Sequence, residues 1–117
     1  MVESQTPTPK FQTQVPLILK EVTYSEEEFK KLVAENCRIR YDIALERGDR
    51  FGTLYYVTLD VYGISSEGHI VIFRKIEKVD IFKSDGKPIE VVIKKTIAKL
   101  KEYAEKTFNA KAGKWYV

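Results

Sequence analysis

Few residues in this chain are of types that do covalent or metal chemistry. His69 is its single histidine and Cys37 its single cysteine. One histidine rules out metal cages built on several histidines. One cysteine rules out an intramolecular disulfide and a cysteine cage. A Cys37–His69 nucleophile–base pair is conceivable by residue type. However, His69 follows Gly68 at a turn, while Cys37 opens an alternating apolar run and reads as a small core residue. The carboxylates are scattered among lysines, as on a solvated face. Asp60 is the exception, because it stands inside an aromatic strand; Arg38 or Lys75 is its expected partner across the sheet. No glycine-rich phosphate loop is present. The chemistry on offer is therefore binding, with neither a cofactor nor a small-molecule substrate implied.

The residues that could bind are aromatic and basic. Arg38, Arg40, Tyr56, Thr58, Tyr62, Phe73 and Lys75 form the candidate site. Flat rings stack on bases, at about 1–3 kcal/mol per base and with little regard for sequence. Arginine adds a planar fork that meets phosphate with two hydrogen bonds. Arg38, Arg40, Arg47 and Arg50 are four of the five arginines in a chain where lysine is three times as frequent. This pattern predicts single-stranded DNA or RNA binding without sequence preference. The same face would also suit a homodimer or another protein-interaction surface, since interfaces favour aromatic residues and arginine.

Two hairpins must position these side chains. Phe51–Lys75 reads as two long strands around the loop Ser65-Ser66-Glu67-Gly68, rich in Val, Ile, Tyr, Phe and Thr. If Ile64 faces His69, then Val61 faces Ile72, Leu59 faces Arg74 and Val57 faces Ile76, making an aliphatic core face. The opposite face carries Tyr62 with Val71, Asp60 with Phe73, Thr58 with Lys75 and Tyr56 with Glu77. Cys37–Leu45 alternates with period two and predicts the preceding strand; a continued helix is the competing reading. With Glu46–Arg50 as the turn, Leu45 faces Phe51 and Ile43 faces Thr53. That register puts Arg40 opposite Tyr56 and Arg38 opposite Thr58. Both hairpins bury the same parity of the central strand.

Helices flank this meander. Ser25 and Glu28 have capping-box spacing, and Phe29, Leu32 and Val33 share a face, which predicts a helix ending near Glu35 or Asn36. Pro88–Phe108 is the longest helical pattern, with the stripe Ile89, Val92, Ile93, Ile97, Leu100, Ala104 and Phe108, and Asn109 as its stop. Ile76–Phe82 predicts a further strand or an extension of the one before it. Val15–Val22 predicts an edge strand, residues 1–14 a flexible N-terminal tail and residues 110–117 a C-terminal tail. The expected fold is α+β: an antiparallel meander of three to five strands covered on one face by two main helices, a single domain over residues 15–109.

The 117 residues carry a net charge of +3, with 44% hydrophobic and 32% charged residues. That charge permits an anionic partner without requiring one. The richness in Lys, Glu and Ile is common in hyperthermophiles. The lone thiol, with no signal-peptide segment and no apolar run of membrane-spanning length, predicts a cytoplasmic protein.

The order helix, antiparallel strands, helix across Ser25–Phe108 resembles two nucleic-acid-binding families. One is the ThermoDBP family of archaeal single-stranded DNA-binding proteins, which combine an antiparallel sheet and helices around an aromatic and basic cleft. The other is the double-stranded RNA-binding domain. The second helix of that domain opens with a lysine pair, whereas Lys94-Lys95 lie well inside the helical pattern here. The resemblance rests on element order, the aromatic strand and overall composition, and it transfers no site residue.

Overall fold

Three long strands make the frame on which everything else sits. The computed structural model describes residues 23–113. In them, β1 (Arg40–Arg47), β2 (Leu54–Ile64) and β3 (Ile70–Asp80) form an antiparallel meander. Helix α1 (Glu26–Leu32) precedes it, and helix α2 (Ile89–Phe108) follows after a 3-10 turn at Ile81–Lys83. A two-residue strand, β4 (Lys111–Ala112), pairs parallel to β1 and completes the order β3-β2-β1-β4. The class is α+β as expected, but the sheet is mixed rather than purely antiparallel. Val15–Val22, the N-terminal tail and Trp115–Val117 lie outside the described residues.

Local sequence explains most element ends. Ser25 Oγ accepts from the Glu28 N–H, while the Ser25 N–H donates to the Glu28 carboxylate, both at 3.2 Å. This capping box satisfies two of the orphan donors at the start of α1. The helix stops at Leu32, earlier than expected, because Val33 is extended and forms a bridge with Ser65. Cys37–Ile39 are not strand residues; β1 begins at Arg40 and runs two residues past Leu45. Asn109 adopts the left-handed conformation (φ 55°) and ends α2. The Ala110 N–H then reaches back to the Ala104 carbonyl at 3.3 Å, and Lys111 donates to Ile39 at 3.0 Å. Ala110 is buried and Lys111–Ala112 belong to the sheet, so the expected tail starts no earlier than Gly113.

Both strand registers differ from expectation, in different ways. Ile43 pairs with Leu59 instead of Thr53, and Leu45 with Val57 instead of Phe51. The displacement is six positions. Being even, it leaves every side chain on its expected face. The cause is the loop Gly48–Thr53, which Asp49 organises. Its Oδ1 accepts from the N–H groups of Gly52 (3.0 Å) and Thr53 (3.1 Å), and its Oδ2 accepts from the Thr53 hydroxyl. The Thr53 hydroxyl bond, more than offsetting partial desolvation, holds the Asp49 carboxyl below its ordinary range.

The second displacement is one position, and it turns β3 over. Val61 pairs with Phe73 instead of Ile72, Leu59 with Lys75, and Val57 with Glu77. The hairpin closes on Ser65, whose N–H donates to His69 at 2.7 Å, with Gly68 donating to Ser65 at 2.9 Å. The loop is thus the three residues Ser66-Glu67-Gly68. Gly68 has φ 88°, the left-handed residue that a type I turn with a bulge requires.

Both helices lie on the face of Tyr41, Val57, Leu59, Val61, Val71, Phe73 and Val79, all buried. Val57, Leu59 and Val61 have no exposed surface, and each contributes roughly 1.5–3 kcal/mol by burial. The helices meet in an aromatic knot. Phe108 packs on Phe29 at 5.2 Å edge-on and on Phe73 at 5.1 Å, with Tyr103 beside both Phe73 and Phe108. Gly63 lets α1 approach, since a Cβ there would come within 2.5 Å of Val33. The Tyr103 hydroxyl donates to Glu26 at 2.6 Å and ties α2 to α1.

Candidate functional site

The opposite sheet face is covered by neither helix. Its rows follow from the register: Arg40–Tyr62–Ile72, then Asp42–Asp60–Arg74, then Ala44–Thr58–Ile76, then Glu46–Tyr56–Lys78. Arg40, Tyr56, Thr58 and Tyr62 therefore share the open face, as the sequence predicts. Arg40 lies across from Tyr62, not Tyr56. Arg38 is exposed just before β1 and lies opposite nothing in the ladder.

Phe73 and Lys75 are corrections. The one-residue turnover of β3 sends both to the helix side. Phe73 is 9% exposed in the aromatic knot. Lys75 lies with its ammonium 5.5 Å from the Tyr103 ring centre and 3.8 Å from Glu77. Ile72, Arg74 and Ile76 take their places on the open face. Asp60 is held by Arg74, with two hydrogen bonds at 2.6 and 3.0 Å, rather than by Arg38 or Lys75. This forked pair fixes geometry more than it adds stability, because it is partly solvated. Arg74 follows from the register; nothing in its local sequence distinguishes it.

The open face is electrically balanced. Arg40, Arg74 and Lys78 face Asp42, Glu46 and Asp60. Burial first, then the charges of Asp42 and Asp60 and a hydrogen bond to Asp42, push the Tyr62 phenol up to about 12. Tyr62 thus stays neutral and can donate. Tyr56 packs on the backbone of Gly48, where a Cβ would come within 2.8 Å of its ring. Both rings are half-buried, with their remaining surface toward solvent.

The helix side offers less. A shallow groove of about 250 Å³ between β3 and α2 is lined by Lys75, Glu77, Thr96, Lys99, Leu100 and Tyr103. Its tyrosine hydroxyl is already committed to Glu26. Cys37 accepts from the Ile64 N–H at 3.1 Å and donates to its neighbouring carbonyl at 3.4 Å, a structural role at the sheet end. His69 is exposed on the hairpin loop. Among the described residues, no group of three or more His, Cys, Asp or Glu could hold a metal, and no helix is long and apolar enough to cross a membrane.

No protein-family model matches this chain, no curated protein matches its sequence, and no solved structure matches its fold.

Proposed function

We propose that this chain binds single-stranded DNA or RNA with little sequence preference through its open sheet face. One observation carries the reading: Tyr56 and Tyr62 stand on a face that neither helix covers, with Arg40 directly across from Tyr62. Burying these rings under a layer of its own would be the ordinary way to stabilise a domain of this size. Left open, each ring offers a base an apolar surface worth about 1–3 kcal/mol. Thr58 lies between them as a hydrogen-bonding side chain. The carboxylates of Asp42 and Asp60 repel phosphate, so bases rather than phosphates lie over the middle of the face, and phosphate gathers at ends such as that of Arg38 and Arg40. A reducing, cytoplasmic setting suits the unpaired thiol of Cys37.

The test is a fluorescence anisotropy titration with labelled single-stranded DNA, single-stranded RNA and duplex at two salt concentrations. Binding to either single strand, weakened by salt, is the expected result. Tyr56→Ala in a folded protein should weaken it by about 1–3 kcal/mol. Absence of binding to all three at low salt ends the proposal.

A second reading has its own observation. Ile72 and Ile76 add an aliphatic stripe to the open face, Ile76 being 55% exposed, and the charges there cancel in sign. A self-complementary patch of this kind fits a symmetric dimer. Sedimentation separates the two: a dimer that persists in moderate salt and is lost in Ile76→Asp favours assembly over strand binding.

A further inference from the structure

The two most exposed large hydrophobic residues described are not on the sheet. Phe51 is 78% exposed in the β1–β2 loop and Phe82 is 82% exposed in the 3-10 turn after β3. The topology brings their loops together. Leu54 and Asp80 close the β2–β3 ladder, and the Ile81 N–H donates to the Thr53 carbonyl at 2.9 Å.

Neither ring is exposed because its loop is loose. The first loop is held by Asp49, which accepts from Gly52, Thr53 and Leu54 N–H groups and from the Thr53 hydroxyl. The second is held at both ends. Asp80 accepts from the Phe82 N–H at 3.0 Å, and the Ser84 hydroxyl lies 2.9 Å from the carbonyls of Ile81 and Lys87. Ser84 is the one buried polar residue described, at 8% exposure. Two phenylalanines kept in water by built loops cost solvation energy that folding does not recover.

Their surroundings suit an anionic, flat-faced ligand. Arg50 precedes Phe51 and Lys83 follows Phe82, and both cations are exposed. Asp49 and Asp80, the loops' own acids, are turned onto backbone N–H groups. Glu46 and Asp85 are the nearby acids that remain. Tyr56 stands at this same end of the open face, across from Lys78 and two residues from Leu54.

We infer that Phe51 and Phe82, with Arg50 and Lys83, form a second stacking station, where a single-stranded nucleic acid continues past Tyr56 and off the end of the sheet. The inference rests on the open-face reading and extends it. A ring with a cation as its chain neighbour, repeated on two adjacent loops, is the pairing that a base and its phosphate require. A strand then crosses the sheet face and turns over its loop end.

The experiment titrates oligothymidylates of about 4 to 16 nucleotides into the wild-type protein, Phe51→Ala, Phe82→Ala and the double variant. Circular dichroism confirms folding, which these exposed sites leave intact. Each alanine is expected to lower affinity for the longer oligomers about 5- to 150-fold. The double variant should lose the gain in affinity that the wild type shows with length, and Phe82→Trp should retain it. Wild-type behaviour of the double variant at every length, alongside weakened binding by Tyr56→Ala, overturns the inference and leaves the open-face reading standing. Absence of binding by the wild type overturns both. A wild-type dimer that becomes monomeric in the double variant, with unchanged affinity for the oligomers, also overturns it and assigns the rings to self-association.

Discussion

Three tyrosines tie this fold together, and each is held neutral. Burial is the first cause in all three, and a carboxylate beside the phenol is the second. Tyr41 donates to Glu105 at 2.7 Å, Tyr103 to Glu26, and Tyr62 faces Asp42 and Asp60. All three phenols are pushed up to about 12 from 10. For Tyr41, the most buried, that difference corresponds to roughly 2–3 kcal/mol between its protonation states. The folded pKa lies above the unfolded one, so this stabilisation is fully present below pH 10. It is lost as pH rises toward 12, where the unfolded chain holds fewer protons than the native one. Urea midpoints should therefore be steady up to about pH 10 and fall beyond it. Ultraviolet titration should reveal a late group of phenolates, reduced in turn by Tyr41→Phe, Tyr62→Phe and Tyr103→Phe. Simultaneous ionisation of every tyrosine in the native protein would contradict this account.

At the scale of elements, the β2–β3 hairpin decides which side chains are available for function. Its three-residue loop sets the parity of β3. Gly68 has φ 88° and open space where a Cβ would stand, so Gly68→Ala pays only for backbone conformation, about 1 kcal/mol. Deleting Glu67 is a different change. A loop shortened by one residue either loses its turn or slips the register, and a slip drives Phe73 out of the aromatic knot and Val71 out of the core. The expected outcome is a small fall in midpoint for Gly68→Ala and loss of the cooperative transition for the deletion, read by urea denaturation. The short helix α1 depends on its cap in a similar way. Ser25→Ala should cost about 1 kcal/mol, because seven residues cannot sustain a helix without help from capping and packing.

Across the whole molecule, the charges are spread rather than gathered. The net charge is only +3, and the open face itself is balanced. Strand binding here should therefore rest on stacking more than on ion pairing. If Arg38, Arg40, Arg50 and Lys83 each meet one phosphate, the logarithm of affinity should fall with that of salt with a slope of about −3 for a single strand. Arg50→Ala with Lys83→Ala should bring the slope to about −1.5, while Phe51→Ala should lower affinity without changing it. A slope near zero for the wild type would remove the cations from the interface.

What the chain's own order determined is whatever has a local cause. The capping box of Ser25 and Glu28, the apolar stripe of α2, the stop at Asn109 and the alternation of β1 and β2 each depend on neighbours a few residues away. They predict elements of the right kind in the right sequence, and an open face bearing Arg40, Tyr56, Thr58 and Tyr62. The β1–β2 register could slip by six without harm, because an even slip preserves faces. The orientation of β3 had no such protection. Both of its parities are apolar, with Val71, Phe73 and Val79 on one and Ile70, Ile72 and Ile76 on the other, so alternation alone could not choose between them. Only the bulged turn at Gly68 and the packing of Phe73 against Phe108 decided it. The same long-range contacts gave Asp60 to Arg74, drew Lys111–Ala112 into the sheet beside β1, and set Phe51 and Phe82 on adjoining loops. Each joins residues far apart in the chain, so it depends on tertiary packing rather than on any local pattern.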